Sequence, residues 1–380
     1  MNMPRKSDIQ RLLRQRQGGL TLVELMIAMV LGSLLMIGAV QLFSGMRTAY
    51  QLNEGLSRVQ ESGRFAIDLL SQDLRMAGYM GCTSNPNFLD IGIAPYLADD
   101  DVDQFYLNFT RGVEGYEAVD TGPDATLTIT TLAPGAGALS DWNPSLPNVF
   151  SGESVRPIAG SDVLVIRYMD QDAVRFVPPY TKGNQYHVTN SEQYLQDDLL
   201  FAADCQGGGY LFRRNNSNKA GGNIQPGQGT DPQYRTFGAD AELGRARMVI
   251  YFIGVNVSSD NPDPRPTLYR RSLTESGQNV QTDALVGGVE TMQVMYGIDG
   301  GGNRAIDDYQ TAGQVHAGNR WNSVSSIRVG LLVRSEQQVV PPGEQTPKQF
   351  SILGTDVTVD IDDDRRHRQM FTTTIQVRNR

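Results

Sequence analysis

One carboxylate in this 380-residue chain sits where a charge is expensive. Glu24 lies within LTLVELMIAMVLGSLLMIGAVQLF, residues 20–43, a stretch without Lys, Arg or His. An ionisable group inside an apolar span costs roughly 2.5–3.5 kcal/mol on insertion scales and usually has a partner. The one cation that can lie close is an α-amino group created by cutting the chain before Leu20. That amine belongs to the same chain, one helical turn away, or to a neighbouring chain. A carboxyl held near the interface and partly hydrated needs no such partner. Gly18 and Gly19 precede the apolar run, whereas a secretory signal puts its small-residue cleavage site after it. Cutting after Gly19 removes a basic leader and retains the apolar segment.

Other reactive side chains are sparse. His187, His316 and His367 lie far apart, and the chain has no HExxH, G-x-S-x-G or GxxxxGK[ST] motif. The expectation is a protein that is not an enzyme and needs no cofactor. Asp299, Asn303 and Asp307 put oxygens at the first, fifth and ninth places of a would-be calcium loop. Gly301 fills the third place and Gln310 the twelfth, where a bidentate Glu belongs. A glycine-rich turn is the preferred reading, with no metal. Asp362-Asp363-Asp364 beside Arg365-Arg366 reads as a solvated, self-compensating turn, with a partner-docking patch as the alternative. Cys82 and Cys205 are the only cysteines. In an oxidising compartment one bridge between them is the simple expectation, and two separate buried thiols the alternative. Closing so long a loop stabilises by roughly 4–5 kcal/mol in the chain-entropy model.

The elements that must position Glu24 are legible. Residues 20–43 are 24 residues with one charge, and at about 1.5 Å each a helix of that length crosses about 30 Å of hydrocarbon. Arg5, Lys6, Arg11, Arg14 and Arg16 precede it against Asp8, which keeps the leader cytoplasmic and sends the C-terminal body outward. The helical period continues: Leu52, Leu56, Val59, Gly63, Ala66, Leu70, Leu74 and Ala77 recur in steps of three and four on one face. Gly78 and Gly81 mark its end. A membrane half and an amphipathic half suit a stalk whose second half packs on a globular head.

Beyond Cys82 the period shortens to two. Strands are expected at Thr126–Leu132, Val163–Tyr168, Val174–Val177, Tyr210–Arg213, Met248–Gly254, Leu268–Arg271, Val289–Tyr296, Ile327–Val333, Val357–Ile361 and Phe371–Val377, as in an antiparallel sheet protein. Asp283–Gly288 reads as a short helical lead-in. Asn85–Asp124, Pro134–Ser161 and Asn215–Gly238 read as long loops. The body carries 28 basic and 41 acidic residues, so bulk nucleic-acid binding is disfavoured. The expected fold is α+β: a long N-terminal helix on a mostly antiparallel head with long loops. Its segments are a cleaved leader (1–19), a membrane or filament-core helix (20–43), an amphipathic stalk (44–81) and a β-rich head (82–380).

Gly19-Leu20-Thr21-Leu22-Val23-Glu24 resembles the type III signal of type IV prepilins, although Leu20 stands where that family usually has Phe. Glu61-Ser62-Gly63-Arg64-Phe65-Ala66-Ile67-Asp68, Ala77-Gly78-Tyr79, Cys82 and the end Phe371–Arg380 resemble the large minor pilins of the PilW family. Val286-Gly287-Gly288-Val289-Glu290 with Val294 and Tyr296 also resembles the J-type minor pseudopilins of type II secretion. The resemblance implies cleavage after Gly19 by a prepilin peptidase, methylation of Leu20, and pairing of Glu24 with a neighbour's terminal amine. It implies a structural subunit that primes type IV pilus assembly and sits near the pilus tip. Implied partners are other minor pilins, the major pilin, a tip adhesin and the assembly platform. Implied localisation is the inner membrane of a Gram-negative bacterium with the head in the periplasm, then the extracellular pilus. A J-type pseudopilin is the nearest alternative, and a membrane-tethered periplasmic adhesin or enzyme is an alternative of another class.

Overall fold

A computed structural model describes residues 21–81, 90–94, 97, 104–206, 208–216, 223–227, 235–258, 260, 262–303, 305–341, 343 and 346–377. The chain divides into two compact units, Met1–Glu54 and Gly55–Arg380. One helix, α1 (Leu22–Met76), contributes to both.

In the first unit every described residue from Thr21 to Arg47 is exposed. The helix is long and apolar enough to cross a membrane. In the second unit, α1 buries one stripe: Gly55, Val59, Gly63, Ala66, Leu70, Asp73 and Leu74. The expected face is therefore present from Val59 onward, while Leu52 and Leu56 are half-buried. A Cβ on Gly63 would lie 2.2 Å from the Phe371 ring, so helix and strand meet there only because the residue is glycine. The helix stops where Gly78 turns left-handed (φ 72°) and its N–H bonds the Arg167 carbonyl at 3.0 Å.

Twenty strands follow among the described residues. In chain order they begin with β1 (Asp90–Ile93), β2 (Val113–Ala118), β3 (Thr126–Ile129), β4 (Trp142–Asn143), β5 (Val155–Pro157), β6 (Val163–Met169) and β7 (Val174–Lys182). Next come β8 (Gln185–Val188), β9 (Leu199–Ala203), β10 (Gly208–Arg213), β11 (Asn223–Ile224), β12 (Glu242–Asn256), β13 (Asp263–Leu273) and β14 (Val280–Gly287). The last are β15 (Val289–Ile298), β16 (Asp308–Gln310), β17 (Val324–Arg334), β18 (Gln349–Ile352), β19 (Thr355–Val359) and β20 (Arg368–Gln376). Among the described residues two short α-helices, α2 (Gln104–Leu107) and α3 (Ala312–Ala317), lie between strands.

They form a 13-stranded sheet centred on β12, a four-stranded sheet ordered β16-β15-β17-β20, and a three-stranded sheet ordered β18-β19-β3. Pairing is antiparallel except β1–β10 and β3–β19. The stalk stripe joins one core with inward residues of β12, β15, β17 and β20, including Tyr251, Val294, Val329 and Ile375. The long helix and the mostly antiparallel head are those of an α+β pilin-like fold.

Four expectations need correction. Asp283–Gly288 is not helical: Asp283–Gly287 falls in β14, paired with β13, and Gly288 turns into β15. A register shift sets Val286 against Leu268 but Ala284 against Tyr269, which breaks the period-two pattern and hides the strand. The segment Asn85–Asp124, read as a loop, contains β1, α2 and the wholly buried β2. Its acidic look comes partly from Glu114 and Glu117, which are buried and partnered. Pro134–Ser161 contains β4 and β5, and the described part of Asn215–Gly238 contains β11.

Candidate functional site

Glu24 heads α1 through a reciprocal cap. The Thr21 backbone N–H and hydroxyl both donate to Glu24 Oε2 at 3.0 Å, and the Glu24 N–H donates to Thr21 Oγ1 at 3.2 Å. This is the T-x-x-E capping box, which satisfies amides that a helix start leaves unpaired. The spacing Thr21-Leu22-Val23-Glu24 carries that signal in the sequence, and reading Glu24 only as an amine's partner overlooks it. The cap occupies one carboxylate oxygen; Glu24 Oε1 has no partner among the described residues. An exposed carboxylate, fixed in rotamer and with one oxygen open, is ready to receive a cation. Gly19, Leu20 and the basic leader lie outside the described residues.

In the second unit, the buried stripe of α1 contains one charge. Asp73 accepts from the Tyr251 hydroxyl at 2.7 Å and the Tyr168 hydroxyl at 3.3 Å, and Arg270 Nε lies 3.5 Å away. Burial, then the Asp73 charge, pushes both tyrosine hydroxyls well above their usual pKa, so they stay donors. Asp73 is three residues from Leu70 and four from Ala77, so it lay on the apolar stripe in the sequence. Its charge concealed it.

A second buried cluster ties three strand ends together. Arg368 grips Glu290 with two bonds, Nε to Oε2 at 2.7 Å and Nη2 to Oε1 at 2.9 Å. Arg334 adds a third at 3.2 Å. Asp364 accepts from Arg368 Nη2 at 2.5 Å and from Arg366 Nη1 at 3.0 Å. The Asp362–Arg366 segment is therefore only partly the solvated turn expected: Asp362 and Asp363 are exposed, but Asp364 is buried. Burial opposes its charge, but the Arg368 and Arg366 bonds outweigh that and hold its pKa below the usual carboxylate value.

A third cluster has no cation bonded to it among the described residues. Asp162 accepts from the Ala118 N–H at 2.9 Å and the Val294 N–H at 2.7 Å, bridging β2 to β15. Glu117 caps α3 by accepting from the Ala312 N–H at 3.2 Å. Burial pushes Glu117 up to about 7 and, with the Glu117 charge, raises Asp162 well above the usual range.

The remaining candidates form no centre. Asp299 Oδ1 accepts from the Asn303 N–H, Asp307 Oδ2 from the Gly300 N–H and Asn303 Oδ1 from the Ala305 N–H, so the loop's own amides occupy those oxygens. No group of three His, Cys, Asp or Glu among the described residues is arranged to hold a metal ion. His187 is on β8, His316 on α3 and His367 just before β20. Cys82 lies outside the described residues; Cys205 is exposed in the turn between β9 and β10. Gly81 lies against the Glu242 side chain, and Glu242 pairs with Ala203, two residues before Cys205.

An exposed apolar helix headed by a capped glutamate, continuing into a stripe packed on an antiparallel head, defines a pilin-like protein. Residues 14–40 match the model of the prokaryotic N-terminal methylation motif, and residues 250–379 match the model of Type IV Pilus-assembly protein W. The second match begins in β12 and runs through the last described residue, so it takes in the whole four-stranded sheet. Over these segments the chain is similar to pilin-like proteins of the PilW family, which the matched models connect with type IV pilus assembly. No curated protein and no solved structure matches it.

Proposed function

We propose that this chain is a minor pilin that primes type IV pilus assembly and then sits near the pilus tip, a structural subunit and not an enzyme. The observation that carries the reading is the Thr21–Glu24 cap at the start of an exposed apolar helix, inside a methylation motif. Cleavage between Gly19 and Leu20 by a prepilin peptidase frees the Leu20 amine, which is then methylated. In the membrane the cap holds Glu24 ready; on assembly its open oxygen accepts a neighbouring subunit's terminal amine. The neighbours are other minor pilins and the major pilin, with the assembly platform below and a tip adhesin above. The head lies in the periplasm before export.

Cys82 bridges Cys205 in this reading. Its support is that Gly81 lies against the Glu242 side chain and that Glu242 pairs with Ala203, two residues before Cys205. No cysteine among the described residues is a free thiol. Non-reducing gels of Cys82→Ser and Cys205→Ser test this: each should lose the faster-migrating oxidised form.

The functional test is complementation of a deletion strain. Glu24→Ala should leave cleavage intact and abolish surface pili and twitching. Unimpaired piliation by Glu24→Ala, or loss of enzyme secretion in place of twitching on deletion, would overturn the proposal.

A further inference from the structure

The four-stranded sheet ends in a strand with one open side. β20 pairs with β17 in a single register over nine residues, from Ser326 opposite Gln376 to Arg334 opposite Arg368. The flanking bonds fix the phase: the Val377 N–H donates to the Ser325 carbonyl and the Ser335 N–H to the His367 carbonyl. Bonded and non-bonded pairs alternate in an antiparallel ladder. Odd-numbered residues of β20 therefore bond β17, and the N–H and C=O groups of Met370, Thr372, Thr374 and Gln376 point away from it. Among the described residues none of these groups has a hydrogen-bond partner, and all four side chains are exposed. The odd side chains hold the strand still: Phe371 packs on Gly63 and Ile375 is in the core.

Open edges normally carry a guard such as a charge, a proline, a bulge or very short length. Other edges of this head do. β16, at the far side of the same sheet, has three residues; β18 and β3 have four each. β14 carries an irregular register and Asp283. β20 is nine residues long, without a register shift, and its outward residues from 370 to 376 are Met, Thr, Thr and Gln.

We propose that the outer edge of β20 is a strand-addition surface that takes an extended strand from the head of another pilin-like subunit. The proposal rests on the PilW-family reading, which supplies other pilins as neighbours. A row of alternating N–H and C=O groups complements an extended chain and little else. The outward side chains offer no cation to a phosphate. A second copy is disfavoured because it would bring together two heads from a body with 13 more acidic than basic residues.

The test uses the full-length chain in its native membrane, with the photo-cross-linker p-benzoylphenylalanine at Thr374 and, separately, at Met36 in the apolar helix. The expected result is an adduct between Thr374 and another pilin-like subunit, identified by mass spectrometry. Thr372→Pro should abolish that adduct without lowering the chain's level or melting temperature, because it removes an N–H that bonds nothing within the sheet. Thr372→Lys, which guards the edge by charge, serves as the second variant should proline disturb folding. An adduct at Met36 with none at Thr374 overturns the edge proposal and leaves the family reading intact. No adduct at either position overturns both. An adduct only with a second copy, or one that survives both variants, also overturns the edge proposal.

Discussion

The Tyr251 hydroxyl donates to Asp73 Oδ2 at 2.7 Å, joining α1 to β12 across 178 positions of sequence. Tyr168 and Arg270 converge on the same carboxylate. Every other residue of the buried stripe from Gly55 to Leu74 is apolar or glycine, so apolar packing tolerates sliding the helix by a turn wherever no glycine contact such as Gly63–Phe371 forbids it. One buried charge with three fixed partners does not, because any other register leaves it unpaired. Asp73→Ala strands two hydroxyls and a guanidinium and should destabilise by about 2–4 kcal/mol. Asp73→Asn, which keeps an acceptor, should cost less. Urea unfolding of the detergent-solubilised chain measures both, and a wild-type midpoint for Asp73→Ala would remove the lock from consideration.

The Gly63–Phe371 contact is a second joint between helix and sheet. Gly63→Val forces the ring aside and should destabilise by about 1–3 kcal/mol, the usual cost of overfilling a core. Phe371→Ala alone leaves a cavity and should also destabilise. The double variant should be more stable than the sum of the two losses, since the new side chain enters the space the ring vacates. Strict additivity in a thermal-melt cycle would mean that the two residues do not press on one another.

Glu290 neutralises two buried arginines at once. Glu290→Gln leaves Arg334 and Arg368 short of charge on adjoining strands, and should cost about 3–5 kcal/mol. Arg366, half-buried and bonded to Asp364 at the rim, should matter far less: Arg366→Ala should cost under about 1 kcal/mol. Equal losses would contradict the placement of Glu290 as the hub.

The Glu117–Asp162 pair gives the head a pH dependence of definite sign. Burial raises both carboxyls, Glu117 to about 7. The folded chain then holds protons that the unfolded chain releases near the ordinary carboxylate pKa. Their contribution is fully present below that unfolded value and is lost as pH rises through the folded value. His367, whose pKa burial lowers, tilts the other way, so the comparison is between variants. From pH 5 to pH 8 the wild type should lose stability relative to Glu117→Gln, by on the order of 2–3 kcal/mol at about 1.4 kcal/mol per pKa unit. Parallel melting curves across that range would show that Glu117 ionises normally.

The long helix, its stripe, its glycine end and ten of the twenty described strands are legible because apolar period and turn residues set them. What stayed hidden has a common cause. Asp73, Glu114 and Glu117 are charges that the fold buries against partners far away in sequence, and Asp364 is buried against the nearby Arg366 and Arg368. A reading that assigns charges to solvent puts each of them outside. β14 was hidden by its irregular register, and β2 by its glutamates. At the N-terminus the residues are legible but their local chemistry is less so: the spacing that sets Glu24 one helical turn from Leu20 also sets it three residues from Thr21, which caps it.

The measurement that bears most directly on the pilin reading is the mass of the mature N-terminal peptide from membrane-extracted protein. A peptide beginning at Leu20 and carrying one extra methyl group on its α-amine is the predicted result. It would establish the freed amine that the open oxygen of Glu24 is set to receive. A peptide that retains the basic leader, or one that begins beyond the apolar helix, would contradict it.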